Sequence, residues 1–586
     1  MSNTLNAINK AAALLLLPLG GCLWSCSDSW DDHYGQTADT RYGNASLYEV
    51  MAAQPELSDF CEVLDSVRVF ANNRITSIHY SQLIGEGQFF TIWAPVNGSF
   101  NKDSLLQLCQ TNAGDSVVEL HFVKNHVARF AHSVDGQDAS IKMMNSKTLS
   151  LEGSTLERIA ISTSNIATSN GVLHILERPV SYYYNIYEAL GSLEQYQHIG
   201  NFLRSYQIDE FDETQSLAMG IVDGKTVYVD SVFNATNELL RKYGYIERED
   251  STYWMIVPNR QLWDSLYAEA ETYYNYGAIN KADSIHEYWS HYALMQDLVY
   301  DPVVQLSMYD SLCSTTWNKS EAGKFHVYYH PFDKGGLFTR FCDSMQCSNG
   351  TIYEVNEWPF AKEKTYFTEI KTEAEGKYYE ARETATKTLG IDYRKMVADS
   401  VSNGYLVLTP VTGTDAYYIT YEVPNVLSGT YDVSVVMLPK SVYYTNIDET
   451  TTEGKRLVRS VKFKAAITYT GTDGVEYTVD SNHRYSFDAE QPGYYVQQSN
   501  SDKSYDFLFD CDLNPTAAAT RAFTNDPYRV DTIHLCTMSF PTCNYDQTKV
   551  TTRVKITNNI LSTETNKYNN TMFIDCLLFT PHTTQQ

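Results

Sequence analysis

A short segment of this sequence occurs twice, and its recurrence constrains the fold more than any other feature. Residues 168–180 are TSNGVLHILERPV and residues 347–360 are CSNGTIYEVNEWPF, so Ser-Asn-Gly, an apolar run and a proline recur. Asn-Gly favours a tight turn, because both residues tolerate a positive φ, and the apolar run is typical of a buried strand. Either a turn and strand recur by chance, or a whole domain is duplicated.

Two further landmarks recur in the same order and favour duplication. FTIWAPVNGSF (90–100) aligns with YWMIVPNRQLW (253–263), and HFVKNHVA (121–128) aligns with HEYWSHYA (286–293). Three ordered landmarks indicate a doubled domain. The aligned positions are Pro95 with Pro258, Phe100 with Trp263, His121 with His286, His126 with His291, and Ala128 with Ala293.

His126 and His291 are the most conspicuous polar residues within these landmarks. A metal-ligating histidine normally brings partners of its own, so we expect both to lie in the domain interior, hydrogen-bonded to backbone. HEYWSH resembles a zinc-protease pattern, but His286 and His291 are five residues apart and would point roughly 140° apart on a helix. They therefore cannot chelate one metal ion.

Other catalytic and cofactor motifs do not occur in the sequence. There is no Gly-x-Ser-x-Gly elbow, phosphate-binding glycine loop or EF-hand. The 71 Asp and Glu residues leave a glycosidase-type carboxylate pair as a minor alternative, since such enzymes need only two in the right geometry. We predict no catalytic residue, no metal site and no cofactor, and we expect that the protein is not an enzyme.

The repeated landmarks resemble the signatures of fasciclin-like domains. The strand ending at Pro95 resembles the first signature, the region around His126 resembles the tyrosine–histidine region, and SNGVLHILERPV resembles the second signature. The resemblance is strong over about 45–181 and looser over about 183–361, where Arg260 replaces the expected asparagine. It implies a wedge-like β-sandwich with a helical layer, used for adhesion or binding rather than catalysis.

The last third of the chain has a different pattern, in which short alternating runs are separated by turn residues. This spacing favours a β-sandwich of jelly-roll type. The runs at 423–439 and 573–581 resemble the paired central strands of galactose-binding-like, carbohydrate-recognising modules, whereas the polar stretch 361–380 is predicted to be a connector. The predicted strands are 404–410, 417–423, 431–438, 461–469, 531–540, 549–557 and 572–581.

The N-terminus has the pattern of a lipoprotein signal peptide. An apolar core at 11–19 is too short to span a bilayer and is followed by two lipobox-like endings, LGGC at Cys22 and LWSC at Cys26. We favour Cys26 for lipid attachment, because CSDSWDDHY resembles the acidic export tag of Bacteroidetes surface lipoproteins. Cys22 is the alternative, since it fits the small-residue rule better.

Charge and cysteine content limit the partners further. The formal net charge is −27 with no Lys/Arg cluster, which argues against nucleic acid or an anionic membrane surface as a partner. The 45 tyrosines suit a recognition surface or serve as strand residues. No Cys-x-x-Cys pair occurs, so a zinc ribbon is not expected. One or two disulfides are possible among four late cysteines, Cys511, Cys536, Cys543 and Cys576.

Together these features predict an α+β and β protein anchored in the outer membrane and facing the cell exterior. By resemblance, its function is to bind or position a nutrient, a glycan or a peptide, as accessory to a SusC/SusD-type importer or other surface lipoproteins. The alternative is a cell-surface adhesin or scaffold that binds protein partners, and the binding residues are left unassigned. The predicted segments are a signal peptide (1–25), an acidic tether (26–44), fasciclin-like domain 1 (45–181), a divergent fasciclin-like domain 2 (182–361) and a jelly-roll-type β-sandwich (362–586).

Overall fold

A computed structural model describes the chain from residue 43 to residue 583, with internal gaps. The predicted signal peptide, both candidate lipid-bearing cysteines (Cys22 and Cys26) and Cys511 lie outside the described residues. The described ranges are 43–71, 74–86, 88–222, 225–280, 283–302, 311–316, 327–376, 378–383, 389–395, 404–410, 416–481, 484–487, 495–498 and 522–583.

Contacts between residues divide the chain into two compact units. The first comprises 1–184 with 208–236, and the second comprises 185–207 with 237–586. The helices of the first unit are α1 (Leu47–Ala52), α2 (Ser58–Ser66), α3 (Tyr80–Gly85), α4 (Lys102–Leu108) and α5 (Asn112–Val118), the last followed by a π-helical turn (Glu119–Val123). Its strands are β1 (Arg68–Ala71), β2 (Arg74–His79), β3 (Phe90–Pro95), β4 (Val127–Arg129), β5 (Ala139–Lys142), β6 (Thr148–Glu152), β7 (Thr155–Leu156), β8 (Ile159–Thr168) and β9 (Gly171–Leu176), together with a hairpin, β10 (Gln207–Val222) and β11 (Lys225–Asn237).

The first copy of the repeat is built around a seven-stranded sheet in the order β4-β3-β9-β8-β7-β6-β5. Strands β3 and β9 are parallel, in a register that pairs Phe90 with Gly171 and Pro95 with Leu176. Every residue of β3 is buried, because one face meets the helices and the other meets a second apolar cluster around Trp93. Burial on both faces explains why FTIWAP is a continuous apolar run rather than an alternating one.

The second unit begins with five helices and a smaller mixed sheet, whose order is β13-β12-β17-β16. The helices are α6 (Ile186–Ser192), α7 (Gln197–Ser205), α8 (Glu238–Tyr243), α9 (Arg260–Tyr273) and α10 (Asp283–Met295). The strands are β12 (Tyr253–Pro258), β13 (Val299–Tyr300), β14 (Ser311–Cys313), β15 (Val327–Tyr329), β16 (Asp343–Cys347) and β17 (Gly350–Val355).

The strand pairing of this second sheet repeats that of the first. Strands β12 and β17 are parallel, and their register pairs Tyr253 with Gly350 and Pro258 with Val355. Strand β13 is antiparallel to β12 and β16 is antiparallel to β17, as β4 is to β3 and β8 is to β9. The predicted duplication is therefore confirmed at the level of register.

The Asn-Gly turn before the last strand has the same role in both copies. Asn170 Oδ1 accepts a hydrogen bond from the Leu47 N–H at 2.7 Å, and its Nδ2 donates to the Ile84 carbonyl at 2.9 Å. Asn349 Oδ1 accepts from the Ile186 N–H at 2.9 Å. Each side chain therefore ties the first helix of its copy to the sheet.

The histidine landmark aligns differently from the prediction. The Trp93 N–H donates to the His126 carbonyl at 3.0 Å, and the Ile256 N–H, at the same register position, donates to the Leu298 carbonyl at 2.9 Å. Leu298, and not His291, is therefore the structural equivalent of His126. The predicted alignment was wrong because the segment from Ile256 to Leu298 is nine residues longer than the segment from Trp93 to His126. The recurring histidine and alanine letters therefore matched positions that are not equivalent.

The rest of the second unit is a β-sandwich of two antiparallel sheets. One has the order β20-β21-β31-β23-β29 with β18 also paired to β31, and the other has the order β19-β22-β30-β24-β25 with β28 also paired to β24. Its elements are α11 (Lys362–Thr365), β18 (Ile370–Glu373), β19 (Tyr378–Glu383), β20 (Gly390–Lys395), β21 (Gly404–Thr409), β22 (Tyr417–Glu422), β23 (Gly429–Met437), α12 (Thr452–Leu457), β24 (Lys462–Thr470), β25 (Glu476–Asp480), the hairpin β26 (Arg484–Phe487) and β27 (Tyr495–Gln498), β28 (Phe523–Thr524), β29 (Asp531–Phe540), β30 (Arg553–Asn558) and β31 (Met572–Pro581).

The sequence located the strands of this sandwich well. All seven predicted strands are present, and the predicted central pair is confirmed, since β23 lies between β29 and β31. The stretch 361–380 is not the predicted connector. It contains α11 and β18 and leads into β19, and these two strands pair with β31 and β22 of the sandwich. The prediction missed them because the stretch is rich in polar residues. Cys543 and Cys576 are free thiols, so the four late cysteines cannot form the two disulfides that the sequence allowed.

Candidate binding cleft in the second unit

His126 occupies the interior position that the sequence predicted. It is fully buried, its Nε2 accepts the Val180 N–H at 2.9 Å, and its Nδ1–H therefore donates to the Phe122 carbonyl at 2.7 Å. Burial lowers the pKa of His126 to about 4, so the ring is neutral at physiological pH. Both nitrogens serve backbone groups, and this histidine is structural.

His291 does not lie in an interior, and that part of the prediction is wrong. It is half-buried on α10, where Nδ1 pairs with the Glu287 carbonyl at 2.9 Å and the ring stacks on Phe202 with centroids 4.3 Å apart. It lines a surface groove, because it lies on α10 and not at the position of Leu298 beyond the end of that helix. In the described part of the chain, no group of three or more His, Cys, Asp or Glu side chains is arranged to hold a metal ion.

A larger cleft lies beside this groove on α10, where the helices of the second copy meet two loops of the sandwich. Its volume is about 580 Å³. One wall carries Tyr206, Lys242, Tyr288 and Trp289, and the opposite wall carries Asn425, Tyr545 and Asp546. The size is within the range of small-molecule sites, which run to roughly 300–1,000 Å³.

Backbone hydrogen bonds join the two walls and fix the cleft. The Cys543 N–H donates to the Asn275 carbonyl at 2.7 Å, and the Ser428 N–H donates to the Tyr273 carbonyl at 2.9 Å. The Tyr276 hydroxyl donates to the Tyr545 carbonyl at 3.1 Å. The cleft is therefore preformed by main-chain geometry.

Aromatic rings from the helices and from a sandwich loop line the cleft and contact one another. Trp289 and Tyr545, one from each wall, meet edge to face with centroids 4.9 Å apart, and Tyr288 meets Trp289 in the same way at 4.9 Å. Tyr206 continues the series at 5.2 Å from Tyr288. Such edge-to-face contacts hold rings at defined angles and leave polar tips free to reach water or a ligand.

Lys242 is the cation of the cleft. Its Nζ donates to the Tyr288 hydroxyl at 2.5 Å and lies 5.1, 5.8 and 5.5 Å from the ring centroids of Tyr288, Trp289 and Tyr292. Burial lowers the pKa of Lys242, and burial raises that of Tyr288 to about 12, with the charges of Glu238 and Asp546 adding to the rise. The Tyr288 hydroxyl is thus neutral and able to donate as well as accept.

Asn425 and Asp546 supply the polar groups of the facing wall. The Asp546 N–H donates to Asn425 Oδ1 at 3.1 Å, and both residues have left-handed backbones, with φ of 61° and 52°. Asn and Asp tolerate this region better than other non-glycine residues. The cleft therefore presents aromatic faces between hydrogen-bond donors on one side and acceptors on the other.

One motif of the sequence, HEYWSHYA, contains residues of this site, but the prediction considered its histidines and not its aromatic residues. The tyrosine and tryptophan of the motif, Tyr288 and Trp289, line the cleft. The aromatic pair between the two histidines was the available signal. Tyr545 carries no such signal, since it lies in a distant turn that only the tertiary fold brings to α10.

Among the described residues, no helix has both the length and the apolar character needed to cross a membrane. The candidate lipid-attachment residues, Cys26 and its alternative Cys22, lie outside the described residues, so the anchor stays a prediction.

Comparison with known proteins gives a family match for part of the chain. Residues 70–181 match the family model described as Fasciclin domain. No curated protein matches this chain. Among solved structures, a FAS1 domain pair from the insect cell adhesion molecule fasciclin I is 11% identical, covers 54% of this chain and 97% of its own, and has a TM-score of 0.16.

Two further similar structures contain carbohydrate-binding modules. The CBM22-1–GH10 modules of Clostridium thermocellum xylanase 10B, complexed with xylohexaose, are 10% identical over 37% of this chain and 29% of that chain, with a TM-score of 0.19. A xylan-binding domain from CBM 22 is 12% identical over 37% of this chain and 97% of that chain, with a TM-score of 0.19. The fold is assigned from strand order and register and from the family match, not from these three structures, whose TM-scores are 0.16 to 0.19. The chain comprises two tandem fasciclin-like domains, the first matched by the family model, followed by a jelly-roll-type β-sandwich.

Proposed function

We propose that this protein captures a neutral glycan in the cleft between the second repeat and the sandwich. The observation that carries the proposal is the cleft itself, a preformed space of about 580 Å³ with aromatic rings on both walls. A sugar ring presents apolar C–H faces and a rim of hydroxyl groups. Aromatic faces pack on the former while amide, carboxylate and amine groups bond to the latter.

The charges in and around the cleft favour an uncharged ligand. The formal net charge of the chain is −27, which repels anionic ligands at long range. Among the described residues that line the cleft, one cation, Lys242, faces one carboxylate, Asp546, with Asn425 beside it. This mixture supplies donors and acceptors together, as a polyhydroxylated ligand requires.

The cellular setting belongs to the same proposal. A lipid on Cys26, or on Cys22, would hold the protein at the outer membrane, facing outwards, and the bound glycan would be passed to a SusC/SusD-type importer. The support is the N-terminal sequence pattern. Labelling with a fatty-acid analogue in wild type, Cys26→Ala and Cys22→Ala should show loss of label only in Cys26→Ala.

Affinity electrophoresis of the full chain tests glycan capture. We expect retardation by at least one of soluble xylan, laminarin, galactomannan, starch and mucin glycans, and loss of that retardation in Tyr545→Ala and Asp546→Ala. Tyr183→Ala is the matched control, since Tyr183 is an exposed tyrosine of the first unit. Migration of the wild type unchanged by all five polymers would refute glycan capture.

The alternative, an adhesin or scaffold that binds protein, predicts a different result. Pull-down from solubilised outer membranes should recover an importer pair if the proposal holds. Recovery of a host or neighbouring-cell protein instead, with no glycan retardation, would favour the adhesin.

A further inference from the structure

A second groove lies beside the cleft on the same helices. Its volume is about 360 Å³, and it is formed by α7, α9 and α10. Its aromatic platform consists of the half-buried rings of Tyr267 and His291 above the buried ring of Phe202. The ring centroid of His291 lies 4.3 Å from that of Tyr267 and 4.3 Å from that of Phe202. The residues that the argument uses are Phe202, Arg260, Trp263, Tyr267, Asp264 and His291.

The groove and the cleft are adjacent. Phe202 lines the groove and Tyr206 lines the cleft, with ring centroids 5.2 Å apart. On α10, His291 faces the groove and Tyr288 faces the cleft, three residues apart and hence neighbours on the helix surface. A single layer of rings therefore separates two openings on neighbouring stripes of one helix.

The polar groups of the groove resemble those of the cleft in kind. Arg260 and Asp264 form an exposed ion pair, with Nε 3.2 Å from Oδ1, and Glu287 adds a second carboxylate to the lining. His291 Nδ1–H donates to the Glu287 carbonyl, and since burial lowers the pKa of this ring, Nε2 is left as a neutral acceptor. Aromatic faces flanked by paired charges and an acceptor again suit hydroxylated rings.

We propose that the groove is a second subsite for the ligand of the cleft, so that the ligand is an oligosaccharide chain that lies across Tyr206 and Tyr288 and not a monosaccharide. This inference rests on the proposed function, because it assumes that the cleft binds glycan. The second subsite lies wholly on the second repeat, which would therefore determine the length of oligosaccharide that binds best. The sandwich contributes to one subsite only.

Isothermal titration of the full chain with oligosaccharides of one to six units tests this, using fragments of whichever polymer retards the wild type. We expect the wild-type affinity to rise with length. Tyr267→Ala should weaken binding of the hexasaccharide at least tenfold while changing that of the disaccharide less than twofold. Arg260→Gln, at an exposed position, should do the same more weakly without risk to folding.

Failure of the inference differs from failure of the proposed function. If Tyr267→Ala and Arg260→Gln bind the hexasaccharide like the wild type, or lose short and long ligands equally, the second subsite is refuted while the cleft stands. If Tyr545→Ala binds every length like the wild type, the proposed cleft is refuted, and the subsite with it.

Discussion

The two copies of the repeat share their strands and differ in their helices. In both, a parallel pair of strands begins opposite a glycine and ends at a proline, and an asparagine ties the first helix to the sheet. In the first copy the helical layer ends in the buried His126, whereas the second has Leu298 there and a helix, α10, whose surface carries aromatic residues. The sheet and its turn are what the fold requires, and the helical layer is where a binding surface was built.

The largest expected loss of stability comes from substituting the glycine at the start of the shared parallel strand pair. Gly350 has φ of 145°, and a Cβ placed there would lie 1.8 Å from the Tyr253 carbonyl oxygen, which is main chain and cannot rotate away. At Gly171 the corresponding distance to the Phe90 carbonyl oxygen is 2.1 Å. We expect Gly350→Ala and Gly171→Ala each to cost more than about 4 kcal/mol, enough to unfold the copy concerned.

Hydrogen–deuterium exchange of the full chain reports on each copy separately, because its peptides can be assigned to one copy or the other. Gly85→Ala is the matched control, since its nearest neighbour would be a side-chain atom of Tyr48 at 3.9 Å. Equal protection in Gly350→Ala and in the wild type would show that the close approach of the two strands is not required in the second copy.

The sequence predicted the shared part and missed the part that differs. Pro95, Pro258, Gly171 and Gly350 lie where their local chemistry places them, because turn preference and a run of buried apolar residues act over a few residues. The equivalence of His126 and Leu298 could not be found by matching letters, since it depends on strand register and on the length of the intervening segment. The cleft was beyond local patterns, because Trp289 and Tyr545 meet only in the tertiary fold.

The next prediction is that low pH destabilises the first copy more than the second. Burial lowers the pKa of His126 to about 4, and likewise that of His174, both in the first copy. Below pH about 6.5 the unfolded chain protonates these rings, whereas the folded chain does so only below about 4, so the unfolded state binds more protons in this window. The stability of the first copy therefore falls as the pH falls from 6.5 to 4, by about 3 kcal/mol for His126 alone.

Exchange rates at pH-corrected time points check this expectation. Peptides from 43–181 should lose protection between pH 6.5 and 4, and those from 253–258 and 350–355 should lose less, because the second copy has an apolar residue at the position of His126. His126→Gln should flatten the pH dependence of the first copy, although it lowers stability at pH 7. An equal loss of protection in both copies would contradict the assignment of acid sensitivity to the buried histidines.

The smallest effect concerns the one signature position at which the second copy departs from the pattern. Asn97 holds three groups of the first copy: its Oδ1 accepts the Asp59 N–H at 2.9 Å, and its Nδ2 donates to the Pro55 carbonyl and the Ser58 hydroxyl, each at 2.9 Å. Arg260 forms an exposed ion pair with Asp264. The asparagine of the second copy has moved one position nearer to the proline, where Asn259 caps α9 by accepting the Leu262 N–H at 2.9 Å.

Three substitutions follow from this shift. Asn97→Ala should cost about 1–2 kcal/mol, because it leaves a helix start and a carbonyl without their partner. Arg260→Ala should cost less than about 0.5 kcal/mol, since exposed ion pairs contribute little. Asn259→Ala should cost about 1 kcal/mol as the loss of a helix cap, and local exchange in α9 measures it. If Arg260→Ala proved as costly as Asn97→Ala, Arg260 would have the same structural role as Asn97. Arg260 would then line the groove for the sake of stability and not of ligand binding.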